Sequence, residues 1–235
     1  MSQAGSPAPI PITCTCLSAS LFMRVLILGG TQEARELKDK LGDEAILALA
    51  RNTVFGGPDG LRRYVQRNSI RTIVDATHPF ATRISAHAQL AGVPVIRLER
   101  PGFKPQPGDD WTYVDHLAEA PIPDDARVFL TTGHHEIEAL AHHPAHFLVR
   151  ALTPPPVLPP RHELLLAKGP FDLEDELELV RTRELTHLVT KDSGGPDAKL
   201  HAARITAIPV ILLRRPGTAG SVVHSSEEVL VLLSN

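Results

Sequence analysis

Residues 25–37 read VLILGGTQEAREL: a short apolar run, a pair of glycines and the start of a helix-period segment. A buried strand that enters a helix through a glycine turn leaves free the N–H groups of the first helical turn, where a phosphate group can bind. The dinucleotide fingerprint places three glycines at fixed offsets, whereas this stretch contains only Gly29 and Gly30. A turn that holds no ligand therefore remains the alternative for these residues taken alone.

The alternation of apolar runs and helix-period segments continues along the chain. The runs cover residues 25–28, 45–50, 72–76, 93–98, 128–130, 147–149, 164–167, 188–190 and 210–213. Continuous β-branched runs of this kind indicate strands that are buried on both faces of a sheet. Between the first two runs, Ala34, Leu37 and Leu41 share one helical face. The pattern predicts an α/β fold with two Rossmann-like lobes, mainly parallel sheets and an interlobe cleft.

The composition of the 235-residue chain is that of an ordinary globular protein, with 43% hydrophobic residues and a net charge of -3. This balance gives no general attraction to nucleic acid or to a membrane surface, so we expect neither as a partner. Both cysteines, Cys14 and Cys16, lie near the start, which excludes a disulfide scaffold from the rest of the chain and fits a reducing cytoplasm. We expect residues 1–22 to be disordered or a mis-assigned extension, with Met23 as the alternative start.

The end of the second strand bears on the choice of cofactor. NAD-type sites place a carboxylate there to bind the ribose 2′-hydroxyl, whereas NADP-type sites place an arginine. Here the run ends Ala50-Arg51-Asn52 without a carboxylate, so Arg51 is the candidate for a 2′-phosphate. A solvated surface arginine is the alternative. The residues favour NADPH, and NADH stays open.

The third strand is followed by DATHPF, residues 75–80. We expect Thr77 and His78 to project into the cleft, because ligands in parallel sheets bind beyond the carboxyl ends of the strands. A histidine in this place can equally be a structural hydrogen-bonding group, and this alternative stays open.

Three polar or glycine-bearing turns follow or flank apolar runs in the second half: TTGHH from Thr131, RHELLLAKGPF from Arg161 and TKDSGG from Lys191. Positive charge comes from Arg161, Lys168 and Lys191, with Lys199 on the helix after the last turn. Backbone N–H groups can approach a ligand at the four glycines Gly133, Gly169, Gly194 and Gly195. These turns predict a rim that binds a polyanionic, carboxylate-bearing ligand.

Metal and nucleophile chemistry have weaker support. The stretch GHHEIEALAHHPAH gathers five histidines, but His135 and His142 are seven residues apart and the spacing His-Glu-x-x-His is absent. We interpret this stretch as a solvated helical face and predict no metal site. The sequence contains neither Gly-x-Ser-x-Gly nor a Walker loop, so nothing indicates acyl transfer or P-loop chemistry.

These observations divide the chain into segments. We expect residues 23–110 to form an NADP-binding Rossmann-like lobe and residues 111–216 a substrate-binding α/β lobe. The stretch 99–125, rich in Pro, Gly and Asp, predicts the joint between the two lobes. Residues 217–235 are expected to be a C-terminal tail with a short helix.

Eight stretches of the chain occur in a characteristic order. They are ILGGTQEAREL, FGGPDGL, VDATHPFATRISAHA, VPVIRLERP, FLTTG, PPRHELLLAKGPF, VTKDSGG followed by AKLHAAR, and IPVILLRRP. In these stretches the chain resembles the precorrin-6A reductase family of cobalamin biosynthesis, which includes the cobalt-precorrin-6A reductases. The resemblance runs from Met23 to about Pro216.

This resemblance implies an oxidoreductase that transfers hydride from NADPH to the C18–C19 double bond of precorrin-6A, or of its cobalt-containing counterpart, to give precorrin-6B. We expect a cytoplasmic monomer whose partner is the small-molecule tetrapyrrole. The residues that the resemblance assigns to the cofactor are Gly29, Gly30, Thr31, Arg51 and Thr77. Those assigned to the substrate are Arg161, Lys168, Ser193, Gly194 and Lys199. The candidate proton donors are His78, His162 and Lys191, with a bound water as the alternative.

The chain departs from the family pattern in two places. Ala34 stands where the family's helix usually has a glycine, and we expect this small side chain to preserve close helix–strand packing. After Arg51, the chain runs almost directly into Phe55-Gly56-Gly57, whereas related chains generally have a longer loop. This shortened loop bears on the role of Arg51 and on the NADPH preference. It motivates the alternative function of a non-catalytic nucleotide- or tetrapyrrole-binding α/β module, which ligands would stabilise without turnover.

Overall fold

The computed structural model describes residues 24–49, 55–218 and 220–234. The expected N-terminal extension and the start at Met23 lie outside these residues, and so do Arg51 and most of the shortened loop that follows it.

The first half of the chain alternates strands and helices as the apolar runs predict. Its elements are β1 (Arg24–Gly29), α1 (Gln32–Leu41), β2 (Ala45–Leu49), α2 (Gly57–Arg67), β3 (Ile70–Asp75), α3 (Thr82–Gln89) and β4 (Val95–Leu98). Strand β1 is buried at every residue after Arg24, as expected for a central strand with helices on both faces of its sheet.

The second half continues with strands and helices and then adds a short C-terminal pair. Its elements are β5 (Trp111–Val114), β6 (Arg127–Leu130), α4 (His134–Ile137), β7 (His146–Ala151), β8 (His162–Leu166), α5 (Leu173–Thr182), β9 (His187–Lys191), α6 (Ala198–Thr206), β10 (Val210–Leu213), β11 (Val222–Val223) and α7 (Ser226–Leu233). Among the described residues, no helix has the length and apolar character needed to cross a membrane.

The strands form two sheets, one in each lobe. The first has the order β11-β4-β3-β1-β2 and the second the order β5-β10-β9-β6-β7-β8. Every strand pair that the structure describes is parallel. The predicted fold class, α/β with two mainly parallel sheets, is confirmed.

Alternate residues of each strand enter opposite layers of the core. In the first sheet, Val25 and Ile27 belong to one buried cluster, and Leu26 and Leu28 to another. The second sheet is covered in the same way on its two faces. The predicted face of α1 packs into the first cluster, where Leu37 is fully buried.

The structure adds two short strands that the apolar runs do not reveal. Strand β5 lies within the predicted joint and forms an edge of the second sheet. Strand β11 lies within the predicted C-terminal tail and pairs with β4 at the edge of the first sheet. Helix α7 follows it, and Val229 of that helix is fully buried in the first lobe's core. The C-terminal segment therefore completes the first lobe, which is built from both ends of the described chain. Its two-residue strand is too short for periodicity to identify.

Candidate active site

The strand order of the first lobe reverses between β1 and β3. From β1 the chain passes through α1 to β2 on one side, and from β3 it passes to β4 on the other. Ligands of open parallel sheets bind at such a switch point. The hydroxyl of Thr31 donates a hydrogen bond of 2.8 Å to the carbonyl oxygen of Ala76 and so joins the two loops.

The glycine turn after β1 fits its predicted role in shape. A Cβ on Gly29 would lie 2.6 Å from Leu47 and 3.0 Å from Ala34, so the close helix–strand packing requires glycine here and a small residue at position 34. Gly30 has φ +143° and no atom within 4 Å of the position of an added Cβ, which leaves open space above the turn. Thr31 caps α1 by accepting a 3.2 Å hydrogen bond from the N–H of Ala34. The hydroxyl of Thr31 therefore already donates one hydrogen bond and accepts another. The turn can offer a ligand its backbone N–H groups rather than this side chain.

Thr77 does not have the position expected of a cofactor ligand. It is 2% exposed, and its hydroxyl donates to Asp75 at 2.7 Å while accepting from Arg97 at 3.1 Å. The side chain is thus enclosed in a buried polar network, because Asp75 at the end of β3 must be neutralised where it is buried. The expectation that this side chain projects into the cleft is wrong.

The network around Thr77 continues into the second lobe. Arg97 lies 2.8 Å from Asp75 and 3.0 Å from Glu99, and these three side chains are at most 8% exposed. Glu99 in turn contacts Arg215 of the second lobe at 2.7 Å. Arg215 also donates to the carbonyl oxygen of Asp192 at 2.6 Å. Alternating charges therefore connect the two sheets below the cleft, a contact that the apolar pattern does not predict.

The interlobe cleft has a volume of about 990 Å³. The first lobe contributes His78 and Arg100 to its wall, and the second lobe contributes the loops at the carboxyl ends of its strands. The second lobe also has a switch point here, between β6 and β9, where the hydroxyl of Thr131 donates to that of Thr190 at 2.8 Å. The predicted residues that line this cleft are His78, Lys191, Ser193, Gly194 and Lys199.

His78 lines the cleft wall, and its Nδ1 accepts a 3.3 Å hydrogen bond from the N–H of Phe80. Loss of solvation, followed by the positive charges of Lys191 and three nearby arginines, lowers the pKa of His78 from 6.5 to about 4. The imidazole is therefore neutral near pH 7, with its proton on Nε2. In this state it can donate a hydrogen bond to a ligand, but it is a poor source of a proton.

Lys191 ends β9 and is partly buried, with 15% of its side chain exposed. Its Nζ lies 2.8 Å from Oε1 of Glu136 in α4 and 4.7 Å from the ring centroid of Phe80. Burial lowers the pKa of Lys191, and the hydrogen bond and charge of Glu136 partly oppose this effect. The histidine-rich stretch that contains Glu136 was interpreted above as a solvated face. The structure instead turns Glu136 toward the strand ends.

A second group of charges forms the floor of the cleft. Arg150 of β7 makes a bidentate contact with Glu176 of α5, at 2.7 and 3.1 Å, and its guanidinium lies 3.7 Å from the ring centroid of Phe171. Burial and the charge of Arg150 lower the pKa of Lys199 nearby. The sequence predicts a site role for Lys199 but not for Arg150 or Glu176. A signal existed, since an arginine in an otherwise apolar strand and a glutamate on the apolar side of α5 each need a buried partner.

The glycines after β9 accommodate the other lobe. A Cβ on Gly194 would lie 2.3 Å from the carbonyl oxygen of Pro101, and one on Gly195 would lie 2.1 Å from Arg100. Both residues have positive φ. Arg100 is held in this contact and reaches Glu33 of α1 at 3.1 Å. The close approach at these glycines is therefore to the first lobe, and approach to a ligand stays a prediction.

Arg161 and His162 lie away from the interlobe cleft. They line a separate pocket of about 330 Å³ with His146, at the amino ends of β7 and β8. The stretch RHELLLAKGPF, residues 161–171, is predicted as one turn that flanks an apolar run, but residues His162–Leu166 form strand β8, whose length of about 16 Å separates the two ends of the stretch. The expectation that Arg161 binds substrate in the cleft and that His162 donates a proton there is therefore wrong. Lys168 follows the other end of β8 and is exposed between two residues that line the cleft.

The histidine-rich stretch shows no sign of metal ligation in the part that the structure describes. His134 lies at the cleft, and its Nε2 is 2.7 Å from the carbonyl oxygen of Thr153. Across the described ranges, no three His, Cys, Asp or Glu side chains are grouped as metal ligands would be.

Comparisons with known proteins identify relatives over nearly the whole described chain. The sequence model of the precorrin-6x reductase family CbiJ/CobK matches residues 24–234. A precorrin-6A reductase of Rhodococcus erythropolis is 45% identical over 221 residues, which cover 82% of this chain and 89% of that protein. A cobalt-precorrin-6A reductase of Priestia megaterium is 28% identical over 254 residues and covers 90% of this chain and 98% of that protein. A solved structure, CobK precorrin-6A reductase, superimposes with a TM-score of 0.82 at 37% identity, covering 90% of this chain and 96% of the other.

Proposed function

The chain belongs to the precorrin-6x reductase family, and from this we propose that its interlobe cleft reduces precorrin-6A at the C18–C19 double bond with NADPH. The family places the chain among the oxidoreductases of cobalamin biosynthesis. NADPH as the specific cofactor, the C18–C19 position and the residues of the site are our proposals.

The observation that carries the proposal is the position of the cationic cleft. It lies between His78 and Arg100 of the first lobe and the strand ends of a second parallel sheet. Its wall and floor bring together Arg100, Arg150, Lys191 and Lys199. Its volume of about 990 Å³ is at the upper end of the range for small-molecule sites. A macrocycle edged with carboxylates matches the size of this cleft, and its carboxylates can approach these cations, three of which already contact a glutamate of the protein.

The residues of the first lobe fit a dinucleotide. Gly29 allows α1 to pack closely on the sheet, Gly30 leaves space above the turn, and the first N–H groups of α1 are oriented toward that space. We assign the pyrophosphate to Gly29, Gly30 and the backbone of Thr31. When bound, the nicotinamide supplies a hydride, which is the difficult part of the chemistry. The protein contributes orientation of the two reactants and the second hydrogen, as a proton.

Lys191 is the proton donor that the geometry supports best. It lines the cleft, its ammonium group is partly desolvated, and its lowered pKa makes it a stronger acid than an exposed lysine. His78 lines the same cleft but is neutral near pH 7, so we assign it a hydrogen bond to substrate or cofactor. Lys199, Ser193 and Lys168 remain candidates for substrate carboxylates.

The relatives favour a substrate without cobalt. This chain is 45% identical to the precorrin-6A reductase of Rhodococcus erythropolis and 28% identical to the cobalt-precorrin-6A reductase of Priestia megaterium. We therefore propose metal-free precorrin-6A as the substrate.

When the purified protein is incubated with precorrin-6A and NADPH, we expect the absorbance at 340 nm to fall as NADPH is oxidised. The tetrapyrrole is expected to become a product two mass units heavier. Cobalt-precorrin-6A and NADH, tested in parallel, are expected to react more slowly. Stabilisation by both ligands without any turnover would contradict the proposal and favour the non-catalytic binding module.

The NADPH preference predicts a specific effect of Arg51→Ala. Loss of a charged contact to the 2′-phosphate is expected to raise KM for NADPH by about 10- to 100-fold, as a contact worth about 1.5–3 kcal/mol implies, and to leave KM for NADH nearly unchanged. Arg35→Ala, on the exposed surface of α1, is the matched control. Equal changes for both cofactors would remove Arg51 from the 2′-phosphate site.

A further inference from the structure

A second cavity lies on the other side of the wall that contains Lys191. It has a volume of about 690 Å³ and opens at the carboxyl ends of β5 and β10. Glu136 and Phe80 line this second cavity, whereas Lys191 lines the interlobe cleft. The wall between the two spaces is therefore formed in part by one lysine and one glutamate in direct contact.

The contact between the two side chains is short and shielded. Nζ of Lys191 lies 2.8 Å from Oε1 of Glu136, and the side chains are only 15% and 22% exposed. The ring of Phe80 covers the ammonium group at 4.7 Å. The other carboxylate oxygen of Glu136, Oε2, is buried and has no hydrogen-bond partner among the residues that the structure describes. A buried carboxylate oxygen left without a donor is unusual, and a water molecule or a proton would satisfy it.

We propose that Glu136 is a positioning residue for Lys191 and that it returns a proton to Lys191 from water in the second cavity after each turnover. This inference rests on the proposed function, in which Lys191 protonates the substrate. It adds a group that the reaction uses indirectly and a path for the proton that does not pass through the occupied cleft.

The proton path is balanced. During reduction one substrate carbon receives hydride, and an N–H bond of Lys191 breaks as a C–H bond forms at the other carbon. Lys191 is left as a neutral amine while substrate and cofactor still fill the cleft. A hydronium ion in the second cavity gives its proton to Oε2 of Glu136 and is left as water, and rotation of the carboxyl group about the Cγ–Cδ bond brings this proton to the amine. The net change is one hydride and one solvent proton, with no further reactant.

The charges around the pair determine the sign of the pH effect. Lys191 faces Glu136 from α4 and His78 from the loop after β3, and His78 is neutral near pH 7. The second cavity also contains a group of titratable or charged side chains on the far side of Glu136, namely Asp115, His116, Arg214 and Arg215. The carboxylate of Glu136 raises the pKa of Lys191 against the effect of burial. Its removal must therefore lower this pKa further.

The test compares Glu136→Gln with Glu138→Gln, an exposed glutamate two residues along the chain. Because Lys191 acts as an acid, kcat is highest where it is protonated and falls as the pH rises through its pKa. Glu136→Gln is expected to lower kcat by about tenfold or more and to move this alkaline limb to lower pH, with KM for precorrin-6A nearly unchanged. Glu138→Gln is expected to retain the wild-type profile. If the wild-type protein is active and the alkaline limb of the kcat profile lies at the same pH in Glu136→Gln, the proposal is overturned.

Chemical rescue separates proton return from a structural role. Glu136→Ala opens space toward the second cavity, so added formate is expected to restore at least part of kcat, and chloride at equal ionic strength is not. Failure of formate to restore any activity in folded Glu136→Ala would show that Glu136 only positions Lys191.

A third measurement does not depend on turnover. The rate of acetylation of Lys191 by acetic anhydride, followed by mass spectrometry as a function of pH, gives the pKa of this lysine in the free protein. Glu136→Gln is expected to lower that midpoint. Glu136→Asp keeps a carboxylate and is expected to restore the midpoint in part, and it provides a second variant in case Glu136→Gln folds poorly. Inactive wild-type protein would contradict the proposed function, whereas an unchanged midpoint would contradict the Glu136–Lys191 coupling itself.

Discussion

Replacement of Arg97 by methionine is expected to lower the free energy of unfolding by about 3–5 kcal/mol. Arg97 is 3% exposed and contacts both Asp75 and Glu99, which are themselves buried. The substitution keeps much of the side-chain volume but leaves buried Asp75 without its cation and Glu99 with Arg215 alone. Uncompensated buried charge is among the largest single effects of a substitution, because neither water nor a partner then stabilises it.

Urea-induced unfolding measures this change, with Arg71→Met as the control. Arg71 lies on neighbouring strand β3 and is exposed, so its replacement is expected to change stability by less than about 0.5 kcal/mol. The triple variant Arg97→Met, Asp75→Asn, Glu99→Gln is expected to recover much of the loss, since replacing a whole buried ionic group costs less than removing one member. A loss below about 1 kcal/mol for Arg97→Met alone would show that the network contributes little.

Replacement of Lys191 by methionine is expected to lower kcat for precorrin-6A reduction by about 10²- to 10⁴-fold, the usual contribution of a general acid. Cofactor binding is expected to persist, because Lys191 lies in the second lobe at the end of β9 and the glycine turn lies in the first. Stopped-flow measurement of NADPH oxidation gives kcat, and titration of protein fluorescence with NADP gives the affinity. Lys104→Met, at an exposed lysine, serves as the control.

The pH profile of the wild-type protein provides a check on the same assignment. Burial lowers the pKa of Lys191 from 10.5, so kcat is expected to fall on the alkaline side at a pH below 10.5. The pKa of His78 is about 4, so no change in its charge is expected between pH 6 and 8. A rise or fall of kcat centred near pH 6.5 would instead indicate a histidine donor. Unchanged kcat in Lys191→Met would also remove Lys191 from that role and leave a bound water as the alternative.

The C-terminal segment lies outside the resemblance seen in the sequence but inside the part of the chain that the family model matches. The resemblance noted in the sequence ends near Pro216, whereas the family model extends to residue 234. The residues in between supply β11 and α7, which pack on the first sheet. The C-terminal segment carries few distinctive motifs because its contribution is burial of Val223 and Val229, and many apolar residues can provide that.

Local sequence was sufficient for most strands, for helix α1 and for the glycine turn between β1 and α1. Nine apolar runs correspond to nine of the eleven strands in the described part of the chain, since a strand buried on both faces needs a continuous apolar stretch. Gly29 and Ala34 were recognisable because close helix–strand packing allows only small residues. The ordered motifs were likewise sufficient for the family.

Tertiary structure alone decided which polar side chains meet. Lys191 was visible in the sequence as a cation after a strand, but its partner Glu136 lies in another element, and no periodicity relates the two. The same holds for Arg150 with Glu176 and for the network around Arg97. Strand β8 separated Arg161 and His162 from the cleft for a simple geometric reason, because its residues extend across the sheet. Periodicity reports which residues are buried, whereas the pairing of charges depends on how separate helices and strands pack, within a lobe for Lys191 and Arg150 and between the lobes for the network around Arg97.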